Sequence, residues 1–121
     1  LARPQILVVD DNELVAEVAA ALLDALGYDT RIATGPAEAM DLYEEGHFTA
    51  VLSDIVMPGG ISGVQLARRL RIRQPDLPIL LSTGYSEALA YEVMDFPVLH
   101  KPYRLADLES ALGRLFGSPL S

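Results

Sequence analysis

Short, unbroken apolar runs punctuate this chain, and between them apolar residues recur every three or four positions. Ile6 to Val9 is the first run. Thr49 to Ser53, Pro78 to Ser82 and Pro97 to His100 hold three more. Continuous apolar character over so few residues predicts strands buried on both faces. Tyr28 to Ala33 alternates instead, as a strand nearer a sheet edge does.

The intervening segments read as helices. Leu14, Val15, Val18, Leu22 and Leu23 recur at helical spacing, and Gly27 stops that helix. Thr34-Gly35-Pro36-Ala37-Glu38 resembles a helix start with proline in the first turn. Ala39, Leu42 and Tyr43 would face inward and Gly46 would end it. Ser62 is placed to cap a helix bearing Val64, Leu66, Ala67 and Leu70, with Arg68, Arg69, Arg71 and Arg73 on its outer face. Ser86 to about Met94 is a short, poorly patterned helical stretch. Leu105, Leu108, Ala111, Leu112, Leu115 and Phe116 form the last amphipathic helix. Strands alternating with helices predict an α/β fold of βαβ units, with right-handed crossovers and a parallel sheet covered on both faces.

Composition narrows the function classes. A chain of 121 residues suits one domain, taken as 5–117, with 1–4 as a linker end and 118–121 as a tail. Nine basic residues against seventeen acidic give a net charge of −8, which attracts neither nucleic acid nor anionic lipid. No apolar run is long enough to span a bilayer. The absence of cysteine removes disulfides, zinc thiolates and thiol catalysis. A cytoplasmic location fits this composition.

Chemistry concentrates at the strand ends. Asp10 and Asp11 follow the first strand, Asp54 the third, Thr83 the fourth and Lys101 the fifth. In open parallel sheets, ligands bind beyond these carboxyl ends. Three carboxylates on one rim repel one another unless a cation joins them. A hard divalent metal suits the oxygen donors, and the lysine and hydroxyl invite a phosphoryl group. Asp11 or Asn12 is also placed to cap the first helix. His47 and His100 receive no chemistry, and the arginine run reads as a solvated helix face.

Four motifs complete the pattern: Val8-Val9-Asp10-Asp11, Ser53-Asp54-Ile55-Val56-Met57-Pro58, Ser82-Thr83-Gly84 and Lys101-Pro102-Tyr103. Together they resemble the receiver domain of two-component signalling, over nearly the whole chain. The resemblance implies a doubly wound, flavodoxin-like sheet of five parallel strands in the order 2-1-3-4-5, with a shortened fourth helix. It implies Asp54 as phosphoacceptor, taking its group from a phosphohistidine of a histidine kinase or histidine phosphotransfer domain. Asp10, Asp11, Asp54 and the Val56 backbone carbonyl would hold Mg²⁺. Lys101 would pair with Asp54 and then with a phosphoryl oxygen, and Thr83 would bond another. The Lys101–Pro102 bond would be cis. The isolated domain would be a switched interaction module and not an enzyme, apart from hydrolysing its own phosphoaspartate. It would be a monomer or weak dimer without direct membrane contact.

One departure stands out. Val98 occupies the strand-five position where many receivers carry an aromatic ring. Tyr85, directly after Gly84, is the candidate replacement as the moving ring, and with Val56 it would flank the route of attacking water. The Pro58-Gly59-Gly60 loop and the Lys-Pro-Tyr ending resemble receivers at the C-terminus of hybrid histidine kinases. Competing readings are a scaffold receiver that is never phosphorylated, a small aspartate-nucleophile phosphatase and a flavin carrier. The phosphatase usually needs an aspartate two residues after its nucleophile and a substrate cap. The carrier needs a phosphate loop after the first strand, where Asp10-Asp11-Asn12-Glu13 would repel phosphate.

Overall fold

The computed structural model describes residues 3–57, 60–84 and 96–117. In chain order the elements are β1 (Gln5–Val9), α1 (Glu13–Ala25), β2 (Asp29–Ala33), α2 (Pro36–Glu45), β3 (Ala50–Asp54), α3 (Gly63–Arg73), β4 (Ile79–Thr83), β5 (Val98–His100) and α4 (Leu105–Leu115). All four strand pairings are parallel, in the order β2-β1-β3-β4-β5. This is the flavodoxin-like arrangement expected from the sequence. The helical stretch expected over Ser86 to Met94 lies outside the described residues.

The pleat sends alternate residues to opposite faces. Leu7, Val9, Val51, Ile79 and Leu81 pack on one side with Ala39 of α2 and with Val64, Leu66, Ala67 and Leu70 of α3. Ile6, Val8, Ala50, Leu52 and Leu80 pack on the other with Ala16, Ala19 and Leu23 of α1 and with Leu108, Ala111 and Leu112 of α4. Burying a leucine or isoleucine stabilises by roughly 1.5–3 kcal/mol. The three central strands are buried nearly throughout, whereas β2 alternates and closes an edge. Among the described residues no helix is long and apolar enough to cross a membrane.

The element ends follow local chemistry. Asn12 caps α1, its Oδ1 accepting from the N–H groups of Leu14 (3.0 Å) and Val15 (3.2 Å). Asp11 is thereby left out of the cap. Past the end of α1, Gly27 takes φ 100°, a left-handed conformation that only glycine adopts without cost. Pro36 opens α2, and Gly46 closes it. Ser62 and Gln65 form a reciprocal capping box on α3.

The helix surfaces add one observation on α1 and change one expectation on α3. Helical spacing correctly marks α1, but its apolar residues do not all face the core: Leu14 is 74% and Val18 59% exposed. The small residues Ala16 and Ala19 take the sheet side instead, letting the helix sit close. On α3, Arg71 is not part of a solvated face. It is half-buried, donates from Nε to the Leu77 carbonyl at 2.6 Å and lies over the Phe96 ring. Arg73 pairs with Glu44 of α2.

Candidate functional site

Parallel register brings the carboxyl ends of β1 and β3 side by side, since Val9 pairs with Ser53. The residues that follow, Asp10 and Asp54, therefore emerge on the same rim. One carboxylate oxygen each from Asp10, Asp11 and Asp54 lies within 4.8 Å of the others. Asp10 and Asp54 are buried and Asp11 is exposed. The three carboxylates thus converge as the sequence predicts.

Lys101 reaches this cluster from the end of β5. Its Nζ lies 3.0 Å from Asp10 Oδ2 and 3.4 Å from Asp54 Oδ1. The expected partner was Asp54, yet the shorter bond goes to Asp10. The other Asp10 oxygen accepts from the Asn12 N–H at 2.9 Å. Both Asp10 oxygens are therefore engaged, one by the ammonium and one by the loop that starts α1. The Lys101–Pro102 peptide bond is cis, as expected.

The electrostatics follow from burial and charge. Burial raises the Asp54 pKa, and the neighbouring Asp10 and Asp11 charges add to this, while Lys101 pulls it down without cancelling it. Burial alone would lower the Lys101 pKa. The hydrogen bond to Asp10 and the charges of Asp54 and Asp10 outweigh it, so the net shift is upward and the ammonium persists. Tyr103 is pushed up to about 12, first by burial and then by Asp10 and Asp54. A phenol so placed stays neutral beside the carboxylates.

Thr83 is fully buried at the end of β4, and its carbonyl accepts from the Lys101 N–H at 2.8 Å. The lysine and the threonine therefore share one backbone link. Val56, two residues beyond Asp54, is 41% exposed. His100 is exposed and contributes nothing to the cluster. Tyr85 lies outside the described residues. Sequence reasoning missed the Lys101–Asp10 bond, and it gave Tyr103 no part in the electrostatics of the site. Its place directly after Lys101-Pro102 was the available signal.

The donor set is all oxygen and suits magnesium. Asp10, Asp11 and Asp54 would hold the ion, with water completing a shell that magnesium keeps partly hydrated. Beside the cluster an open hollow of about 580 Å³ is lined by Leu14, Val15, Val18, Lys101, Pro102 and Tyr103. Its wall is mostly apolar side chain, and Lys101 is common to the hollow and the acidic cluster.

Comparison with known proteins agrees with this architecture. The chain is 34% identical over 114 residues to the response regulator receiver protein CpdR of Brucella abortus, covering 91% of this chain and 93% of that one. Other curated relatives are longer, and the chain spans 24% of one and 57% of another. Among solved structures, response regulator TrrA of Thermotoga maritima, in complex with Mg²⁺ and BeF, superposes with a TM-score of 0.80 at 31% identity. That match covers 93% of this chain and 98% of TrrA. The receiver domain of the hybrid histidine kinase CckA superposes with a TM-score of 0.75 at 29% identity, over 92% of this chain and 97% of that one. Residues 6–113 match the family model for the response regulator receiver domain, and the chain belongs to that family.

Proposed function

We propose that this domain accepts a phosphoryl group on Asp54 from a phosphohistidine, in a magnesium-dependent reaction, and thereby switches a protein-interaction surface. The observation that carries this reading is the meeting of three carboxylates with one lysine that reaches two of them. Asp10, Asp11, Asp54 and the Val56 carbonyl would hold Mg²⁺. The ion supplies charge neutralisation for the transferring oxygens.

An Asp54 oxygen attacks phosphorus in line. The P–N bond to the imidazole breaks, the imidazole leaves with the electron pair, and an acyl phosphate forms on Asp54. Lys101 follows the charge from the carboxylates to a phosphoryl oxygen. The Thr83 hydroxyl donates to a second oxygen and draws the end of β4 inward. Tyr85 is the ring assigned to move with it. The new charge biases the surface carried by β5 and α4.

The donor is a histidine kinase or a histidine phosphotransfer domain. The apolar hollow beside Lys101 supports such docking, because Leu14 and Val18 are exposed well beyond what solubility favours. Nucleic acid and anionic membrane are disfavoured partners for a chain of net charge −8. A cytoplasmic location and a place within a hybrid kinase fit the same reading, as does a monomer or weak dimer.

A small acyl phosphate donor with Mg²⁺ should label one site per chain, observed by mass spectrometry. Asp54→Asn should abolish the label. A label that survives this substitution removes Asp54 from the role. Chelation of Mg²⁺ should stop labelling of the wild-type chain.

A further inference from the structure

We infer that Gly63 is a positioning residue for the Asp54 site, an inference that rests on the phosphoacceptor reading above. α3 begins at Gly63, hard against the end of β3. A Cβ there would stand 2.0 Å from the Asp54 carbonyl oxygen, 2.9 Å from its carbonyl carbon and 2.9 Å from the Ile55 Cα. All three are backbone atoms, so no side-chain rotation can make room. The constraint is steric and not torsional, because Gly63 is not among the positive-φ glycines.

The close approach has a return. The Gly63 N–H donates to the Ile55 carbonyl at 2.8 Å, and the Ile55 N–H donates to the Ser82 carbonyl of β4 at 2.9 Å. The backbone beside Asp54 is thus held between β4 and the first turn of α3. The same bond draws together the ends of the segment 56–62, which starts at Val56. Ser62 and Gln65 lock the far end through their reciprocal cap. Asp54 and Val56 are the residues assigned to metal and phosphoryl, and Gly63 fixes the main chain that aims them. Helix propensity argues the other way, since alanine favours a helix over glycine. The contact with Asp54, and not the needs of the helix, accounts for glycine here.

The test compares Gly63→Ala with Gly113→Ala. Gly113 lies within α4, where an added Cβ meets nothing within 4 Å. Mg²⁺ affinity is measured by calorimetry, with circular dichroism checking that each variant is folded. Gly63→Ala should bind Mg²⁺ about ten-fold more weakly or worse, as loss of a residue that orients a ligand does. Gly113→Ala should bind as the wild type. Unchanged affinity in a folded Gly63→Ala overturns the inference. Should that variant not fold, the wild-type amide spectrum decides. The Gly63 signal should shift on Mg²⁺ titration with the calorimetric midpoint, and a stationary signal overturns the inference. A wild type that takes up no Mg²⁺ overturns the phosphoacceptor reading itself. Normal wild-type uptake with unchanged Gly63→Ala removes the role of Gly63 alone.

Discussion

α1 and α3 cover opposite faces of the same sheet, but they spend their apolar residues differently. α3 buries Val64, Leu66, Ala67 and Leu70 against the sheet. α1 buries only Ala16, Ala19 and Leu23, and leaves Leu14 and Val18 in solvent. α3 uses its large apolar side chains mainly for the fold, with Ile72 alone among them left 80% exposed near its end. α1 carries more than the fold needs, and the surplus lies beside the acidic cluster. An apolar residue at helical spacing is therefore evidence of a helix before it is evidence of a core.

The widest separation is expected in stability. Leu70→Ala in α3 should cost about 2–5 kcal/mol in denaturant unfolding, because Leu70 is fully buried and leaves a cavity. Leu14→Ala in α1 should stay within about 0.5 kcal/mol. Equal losses would break the comparison. The caps should behave alike in the two helices: Asn12→Ala and Ser62→Ala should each cost about 1 kcal/mol. A larger loss for Asn12→Ala would mean that its backbone link to Asp10 depends on the cap.

Function should then invert the ranking. The double substitution Leu14→Ala, Val18→Ala should slow transfer from a phosphohistidine protein about ten-fold, as loss of an apolar interface anchor does. Labelling by a small phosphodonor should be unchanged. If both rates fall together, the hollow serves the chemistry and not docking.

The smallest effect at neutral pH concerns Tyr103, which borders the hollow. Its folded pKa of about 12 lies above the ordinary 10.0. The unfolded chain loses this proton first, so ionisation costs stability only as pH rises. The contribution of Tyr103 to stability should be flat below pH 10 and fall between pH 10 and about 12. Tyr103→Phe should remove that alkaline loss and leave neutral stability nearly unchanged. Ultraviolet titration of the phenol checks the value directly.

Much of this was legible in the residues. The stretches Ile6–Val9 of β1, Ala50–Leu52 of β3 and Ile79–Leu81 of β4 are unbroken apolar because helices cover both faces, and that pattern is local. The polar residues ending each run announced the rim. What the sequence did not specify depends on distance across the fold. The lysine stem is long enough to reach either carboxylate, so whether Asp10 or Asp54 receives the shorter bond depends on strand register and loop path. The exposure of Leu14 depends on how closely two alanines let α1 approach the sheet. The Gly63 contact was equally hidden, because a glycine near a Pro-Gly-Gly run reads as loop punctuation.

The seat of Arg71 has its own consequence. Its guanidinium gives one N–H to the Leu77 carbonyl and lies over Phe96, just before β5. It therefore staples the approach to β4 to the approach to β5. A lysine keeps the charge but has neither the flat surface nor the sideways donor. A mutational scan of this basic helix should tolerate lysine at Arg68 and Arg69 and reject it at Arg71, so four arginines within six positions conceal one fastening.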